Sequence, residues 1–514
     1  DSGTRLYQAS YVSGAWTGEV VAYPIGANGT VSTTPSWRAS AGIPASGRRI
    51  FAGNDAGNGA VSFPAGISQE RLNLLTRTGE ANYPVTGADN AAYIAGERSG
   101  ELRNGGVLRN RNHVLGDIVT SSPAYVPETE TLYVGGNDGM LHAFDATNGR
   151  EVFAYIPGGI NWSSLGTLSR QDYSHRYFVD GPITVSTRQQ GGGRNILVGA
   201  LGKGGKGLFA LDVTNPGSFS AASFKWEVRG ENALMGLVQS KPIIARLNNG
   251  VNAVIVANGI NSSSGRAGLL IYNLDTGALI SALDTQQGSA IADSPNSNGL
   301  TSAVGWDADG NGTVDYVYGG DMLGNVWKFD ISSGSSATWS IPGNGSPLFT
   351  ATDAQGSRQP ITGGLTLALH PRTYQPWLFF GTGRMMTQGD MTSRTVQSLY
   401  GLVDDGSAKI RNGANANLTA RRTVVAGNIN GMPVRSFEAR QVLPTNSKGW
   451  YLDLLEPPSP GTAEGERVIS DAQLFGDVLI VSTVIPTADA CQADGRGYLN
   501  ALDAFTGTST GPSL

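Results

Sequence analysis

Nine consecutive residues carry the strongest chemical signal in this sequence: Asp307-Ala308-Asp309-Gly310-Asn311-Gly312-Thr313-Val314-Asp315. Oxygen-bearing side chains stand at positions 1, 3, 5 and 9 of the run, and glycine stands at position 6. A hard divalent cation such as calcium needs several oxygen ligands at once. A short loop supplies them only if alternate side chains turn inward and a backbone carbonyl joins them. Asp307, Asp309, Asn311 and Asp315 can offer side-chain oxygens, and Thr313 its carbonyl. Gly310 and Gly312 permit the curl that gathers them. Three carboxylates so close together repel one another unless a cation sits among them. The same composition also suits an ordinary polar hairpin, because Asp, Asn and Gly are common turn residues.

The spacing matches the front of an EF-hand calcium loop, with one departure: position 12 is Tyr318 rather than a bidentate glutamate. The flanks, 303–306 and 314–318, read as strands and not helices. The expectation is therefore a calcium loop between two strands, similar to the loops of integrin-type β-propellers. Without a twelfth-position carboxylate the expected affinity is modest, and Asp321 is the nearby candidate for an outer-shell partner.

The elements that must hold such a loop recur along the chain. A unit of apolar strand, Gly-rich turn, second strand and, often, an Asp-x-x-Thr/Asn-Gly corner appears at 132–149, 196–214, 254–277, 316–330, 378–404 and 478–507. A divergent copy stands at 7–23. One hairpin cannot bury its own face, so neighbouring copies must stack. These about seven copies predict an all-β chain: a modified, quinoprotein-like β-propeller of about seven blades with short helical insertions. The terminal copies are expected to complete one closing blade. In the corners, the Asp accepts turn N–H groups and Thr-Gly closes the turn. Residues 1–514 are read as a single propeller domain with irregular insertions at 64–116 and 405–470. Within the first, 68–76 has a Ser cap and helical apolar spacing, 90–96 is a second helix candidate, and 97–113 is a polar, locally basic loop open to solvent or to a partner. In the second, Pro457-Pro458-Ser459-Pro460 marks an exposed turn.

Composition narrows the function. Gly supplies 72 of 514 residues, which suits many tight turns, and the net charge of −5 lacks the basic face that nucleic acid requires. No apolar run approaches a membrane span. Cys491 is the only cysteine, so no internal disulfide can form, and His113, His142, His175 and His370 lack zinc-ligand spacing. No Gly-x-Ser-x-Gly elbow or His-Glu-x-x-His pair is present. Gly202-Lys-Gly-Gly-Lys-Gly207 lacks the phosphate-loop spacing and reads as a hairpin turn. Pyrroloquinoline-quinone dehydrogenase propellers share the corners and also hold calcium. Many of them need an adjacent Cys pair, however, and their ion is bound by residues from several blades, so the expectation is that this chain is not an enzyme. The chain begins at Asp1 without Met and is read as a fragment or a processed product, with any targeting segment upstream.

Several segments together resemble the C-terminal domain of the PilY-type tip proteins of type IV pili. They are 305–330, Leu115-Gly-Asp-Ile-Val-Thr-Ser-Ser-Pro123, Val179-Asp-Gly-Pro182, 197–214, Gln239-Ser-Lys-Pro242 and Ala257-Asn-Gly-Ile-Asn-Ser262, in family order across roughly 100–510. The resemblance implies a modified seven-bladed propeller with Ca2+ bound by Asp307, Asp309, Asn311, the Thr313 carbonyl and Asp315. It implies an extracellular protein at the pilus tip that works with minor pilins and the pilus assembly machinery, with a host-cell surface as a further partner. It also implies that calcium occupancy antagonises pilus retraction, and so bears on twitching motility and adhesion. An upstream region, often von Willebrand factor A-like, would precede this chain. Two alternatives stay open: an adhesin whose ion only holds the fold, and a quinoprotein dehydrogenase.

Overall fold

Each of the seven repeat copies becomes an antiparallel hairpin in a computed structural model of the chain, which describes residues 3–291, 294–487 and 495–511. Cys491 lies outside the described residues. The hairpins are Arg5–Val12 with Thr17–Pro24, Thr131–Gly135 with Leu141–Asp145, Ile196–Ala200 with Leu208–Asp212, and Asn252–Ala257 with Arg266–Asn273. The series continues with Tyr316–Gly320 and Asn325–Asp330, Pro376–Gly381 and Ser398–Val403, and Val478–Ser482 and Leu499–Asp503. Each hairpin belongs to a different sheet of three to six strands, so seven such sheets are present among the described residues. The Gly202–Gly207 run is the connection inside the third hairpin, as its spacing indicates.

The chain divides into two compact units. The first comprises Asp1–Arg246, Gly250–Val256 and Leu270–Ser281; the second comprises Leu247–Asn249, Ala257–Leu269 and Ala282–Leu514. In the first unit, the second sheet has six strands because Ile50–Gly53 adds in parallel to Glu151–Ile156, pairing Ile50 with Ala154. The 64–116 insertion thus interrupts one sheet. Its helices pack Leu75, Ala91, Tyr93 and Ile94 into the same core as Tyr133, Phe153 and Tyr155. The helix Gln69–Leu75 is capped by Ser68, whose hydroxyl accepts from the Arg71 amide. Gly87–Ile94 is capped by Thr86, starting a little earlier than the sequence indicates. Much of the 97–113 stretch is exposed, but it is anchored: Glu101 is fully buried and takes Arg98, Arg103 and Arg111 as ion partners.

The Asp-x-x-Thr/Asn-Gly corners, and the corner 273–277 in which Asn273 takes the place of the heading Asp, do more than close turns. Trp37 donates its indole N–H to the Ala146 carbonyl at 2.9 Å, Trp226 to Leu274 at 2.7 Å, and Trp450 to Ala504 at 2.7 Å. In every case the tryptophan belongs to one sheet and the carbonyl to the corner that ends the central hairpin of the next. A Cβ added to Gly149, Gly277 or Gly507 would sit 2.4–2.6 Å from that ring. Glycine is needed at these corners so that an indole can lie flat on the turn.

The second unit holds the fifth, sixth and seventh sheets. Insertion 405–470 supplies Thr419–Arg421 and Gly449–Asp453 to the sixth and a separate hairpin, Thr423–Ile429 with Met432–Phe437. Among the described residues the terminal copies lie in separate sheets. Arg5–Val12 and Thr17–Pro24 pair with Trp37–Arg38, while Gln473–Phe475, Val478–Ser482 and Leu499–Asp503 form a separate three-stranded sheet. Among the described residues, no helix is long and apolar enough to cross a membrane.

Candidate metal centre

The acidic loop joins two strands, Val304–Trp306 and Tyr316–Gly320, which pair in register from Val304 with Tyr318 to Trp306 with Tyr316. Short β-paired stems hold the two ends of the loop together, so its head, tail and middle must fold inward. Asp315 N donates to the Trp306 carbonyl at 2.9 Å and Ala308 N to Asp315 Oδ2 at 2.8 Å, which ties position 9 back to the loop entrance.

Carboxylate oxygens of Asp307, Asp309 and Asp315 all lie within 4.8 Å of one another. Among the described residues this is the single group of three or more His, Cys, Asp or Glu with such converging ligand atoms. Asp307 accepts the Gly310 amide at 2.9 Å and the Asn311 amide at 3.2 Å on one oxygen, and the Gly312 amide at 2.7 Å on the other. These N–H groups, above all that of Gly312, hold the Asp307 carboxyl below the ordinary aspartate value, so it stays ionised. The curl uses left-handed backbone at Gly310 and Gly312, φ +72° and +90°.

Asn311 Oδ1 accepts from Thr313 N at 2.9 Å and from Thr313 Oγ1 at 2.6 Å. Among the described residues the Thr313 carbonyl has no hydrogen-bond donor, which leaves it available to a cation. Position 12 adds nothing: Tyr318 is fully buried and its hydroxyl donates to Asp404 at 2.6 Å. The converging groups are therefore three carboxylates, on a loop that also carries the Asn311 amide oxygen and the Thr313 carbonyl. That chemistry suits a hard cation such as calcium, with water completing the shell.

Asn248, sixty-seven residues before Asp315, is the partner that sequence reading missed. Its Nδ2 donates to Asp315 Oδ1 at 3.0 Å, to the Val314 carbonyl at 3.0 Å and to the Ile331 carbonyl at 3.2 Å. Its Oδ1 accepts from Thr313 Oγ1 at 2.7 Å. An isolated β-bridge between Leu247 and Val314 brings it there. No local pattern around an Asn-Asn-Gly turn announces this role. Asp321, by contrast, is not an outer-shell partner. It is fully buried at the far end of the Tyr316–Gly320 strand and accepts from Asn298, Asn325 and Trp327 side chains. Five strand residues span about 16 Å, beyond hydrogen-bond reach of the loop.

The histidines are engaged elsewhere. His142 is fully buried between Asp138 at 2.8 Å and Glu151 at 2.9 Å, and Arg48 grips Glu151 through two N–H groups. Burial opposes the charge on His142, but the two carboxylates outweigh it and hold its pKa up to about 9. His175 Nε2 contacts Asp117 at 2.6 Å, His113 Nε2 contacts the Gly18 carbonyl at 2.6 Å, and the His370 ring meets Phe505 edge-on.

Residues 113–426, which include the acidic loop, match the family model of the PilY1 beta-propeller domain. A type IV pilus biogenesis factor PilY1 homolog of Xylella fastidiosa is 34% identical over 542 residues, covering 99% of this chain and 41% of that protein. The type IV pilus biogenesis factor PilY1 of Pseudomonas aeruginosa strain PAK is 31% identical over 589 residues, covering 99% of this chain and 49% of that protein. The crystal structure of the P. aeruginosa PilY1 C-terminal domain superposes with a TM-score of 0.60 at 30% identity, over 74% of this chain and 79% of that one. The chain spans less than half the length of these curated relatives. It belongs to the PilY1 β-propeller family, and its fold is a β-propeller made mostly of strands with a few short helices.

Proposed function

We propose that this member of the PilY1 family is a non-enzymatic, calcium-binding component of type IV pilus assembly, acting at the cell surface and pilus tip with minor pilins and the assembly machinery. In this reading residues 1–514 form one propeller domain, with 64–116 and 405–470 as insertions. The pilus role is supported by the relatives, which are named as pilus biogenesis factors. The calcium role is carried by one observation: the carboxylates of Asp307, Asp309 and Asp315 converge on a loop that also frees the Thr313 carbonyl.

Binding an ion there neutralises three mutually repelling carboxylates and fixes the loop backbone. If only the ordered loop binds, the ion stabilises that state by RT ln(1 + [L]/Kd), about 3 kcal/mol at a hundredfold excess over Kd. A partner that contacts the ordered loop then senses calcium. Through that contact calcium occupancy antagonises pilus retraction and affects twitching motility and adhesion. Calorimetric titration of the chain with calcium, with magnesium as control, tests the site. Saturable 1:1 binding that Asp307→Ala abolishes is expected; no binding to the intact chain would mean a plain hairpin.

One observation favours a second reading, in which the ion is purely structural in a calcium-stabilised adhesin of the host-cell surface. Asp315 is buried and tied through Asn248 to a segment outside the hairpin. The discriminator is whether calcium removal weakens partner binding without lowering the folded fraction. Dye-linked oxidation of an alcohol or sugar with added quinone would instead support a dehydrogenase.

A further inference from the structure

Among the described residues, every four-stranded antiparallel sheet carries an outer strand that the last sheet lacks. The sheets starting at Ile183, Ile243 and Val304 each have four strands in sequence order, whereas the last has three and ends on Leu499–Asp503. We propose that this open edge takes up an extended, neutral-to-acidic strand of a partner polypeptide by main-chain pairing. The inference is independent of the metal reading.

The hydrogen-bond phase of the edge can be read directly. Thr483 N donates to the Tyr498 carbonyl at 2.9 Å and Ala504 N to the Asp477 carbonyl at 2.8 Å, while Val481 faces Asn500 and Leu479 faces Leu502. Even-numbered residues therefore bond inward to Val478–Ser482, and Leu499, Ala501 and Asp503 turn their N–H and C=O groups outward. The Asp503 amide is spent on the Thr508 carbonyl at 2.8 Å. Among the described residues no strand pairs with Leu499 or Ala501 from that side. Edges of this kind are usually blunted by proline, lysine or a bulge. Leu-Asn-Ala-Leu-Asp contains neither proline nor lysine, and its pairing to Val478–Ser482 runs without a register shift.

The edge opens into a cleft of about 860 Å³ whose opposite wall is the hairpin strand Met432–Phe437. Among the described residues that hairpin pairs only with itself, and side-chain and backbone contacts hold it beside the edge. Arg435 Nε donates to Asn500 Oδ1 at 3.0 Å, and Ser509 N donates to the Glu438 carbonyl at 3.0 Å. The five-residue edge is about 17 Å long, the span of an extended pentapeptide.

The lining states what the occupant must offer. Leu499 is 74% exposed and Val434 36%, so alternate apolar side chains on an added strand would find apolar partners. The charged residues that line the cleft are Arg435 and Arg440, and no carboxylate lines it. Arg435 is neutralised by two contacts to Glu466. Arg440 is largely exposed, with Asp503 at 3.9 Å as its ion partner, so it favours an acidic residue at that end. Main-chain pairing supplies affinity and the alternating side chains supply selection.

The test is a phage-displayed library of random decapeptides panned on the 1–514 chain, with the selected peptides resynthesised. The expected peptides alternate apolar residues, carry Asp or Glu, and slow hydrogen exchange at the Leu499 and Ala501 amides. Ala501→Pro removes the outward N–H and is expected to weaken binding about tenfold or more, the scale of one or two hydrogen bonds. Should that variant fold poorly, Leu499→Lys, at an exposed site, is expected to weaken the same peptides with an unchanged melting temperature. Several results would overturn the proposal: no enrichment, protection at other amides, or binding that survives both substitutions. Slow exchange of both amides in the free chain would also overturn it, showing the edge covered by the chain itself or, if sedimentation finds a dimer, by a second copy.

Discussion

In the corner 503–507 and in the loop 307–315 an aspartate heads a glycine-containing turn, yet the two turns are organised around different things. Asp503 accepts the Phe505 and Thr506 amides at 3.1 Å, and the turn is then covered by Trp450, whose ring would clash with any Cβ on Gly507. Asp307 likewise accepts three amides, but Gly310 and Gly312 have open space around them and two further carboxylates converge beside it. One turn is a seat for an apolar ring; the other gathers three carboxylates within 4.8 Å. Local turn chemistry is shared. What differs is the neighbour, and the neighbour decides whether a turn holds sheets together or gathers ligands.

The comparison can be broken at its strongest point first. Trp450→Ala should cost about 3–5 kcal/mol in denaturant unfolding, because a fully buried indole and its hydrogen bond are lost together. If that loss is under 1 kcal/mol, on the scale of a surface substitution, the corners are ordinary turns. Gly277→Ala should cost about 2–5 kcal/mol, adding left-handed strain to a contact of 2.6 Å with Trp226. At a hundredfold excess over Kd, calcium should stabilise the loop-bearing chain by about 3 kcal/mol and Asp307→Ala not at all, read from thermal unfolding with and without chelator. Gly310→Ala meets no neighbour, so it should cost only the backbone term of about 1–2 kcal/mol. A cost equal to that of Gly277→Ala would erase the distinction between the two turns.

A pH scan sharpens the contrast further. The Asp307 carboxyl is held below its ordinary value, so the charge needed for metal is present above the usual aspartate range and lost only as pH falls below it. Calcium affinity should therefore be flat from neutral pH down to about pH 4, the ordinary aspartate value, and fall only below it. His142 behaves in the opposite sense. Its folded pKa of about 9 lies above the ordinary histidine value, so its stabilising charge is fully present below about pH 6.5 and lost as pH rises through 9. Unfolding free energy should decline over that alkaline window, and His142→Gln should flatten the decline.

The sequence alone determined the local units of this protein. Alternating apolar residues, Gly-rich turns and Asp-headed corners specify seven hairpins, because strand period and turn chemistry act within a few residues. The Asp-x-Asp-x-Asn-Gly spacing likewise brought Asp307, Asp309 and Asp315 together, because a loop clamped between paired strands has few ways to fold. Ser68 announced its helix by the same short-range physics, whereas the Thr86 cap that starts Gly87–Ile94 was not read from the sequence. Tertiary structure decided the rest. Asn248 reaches Asp315 through a single long-range bridge, Ile50–Gly53 joins a sheet a hundred residues away, and Trp37, Trp226 and Trp450 find their corners across sheets. The terminal copies could have shared a blade, but among the described residues Trp37–Arg38 pairs with Thr17–Pro24 and Leu499–Asp503 has no strand on its outer side. Such choices depend on which surfaces compete for burial and for unpaired backbone groups, a competition between distant segments that no window of sequence contains.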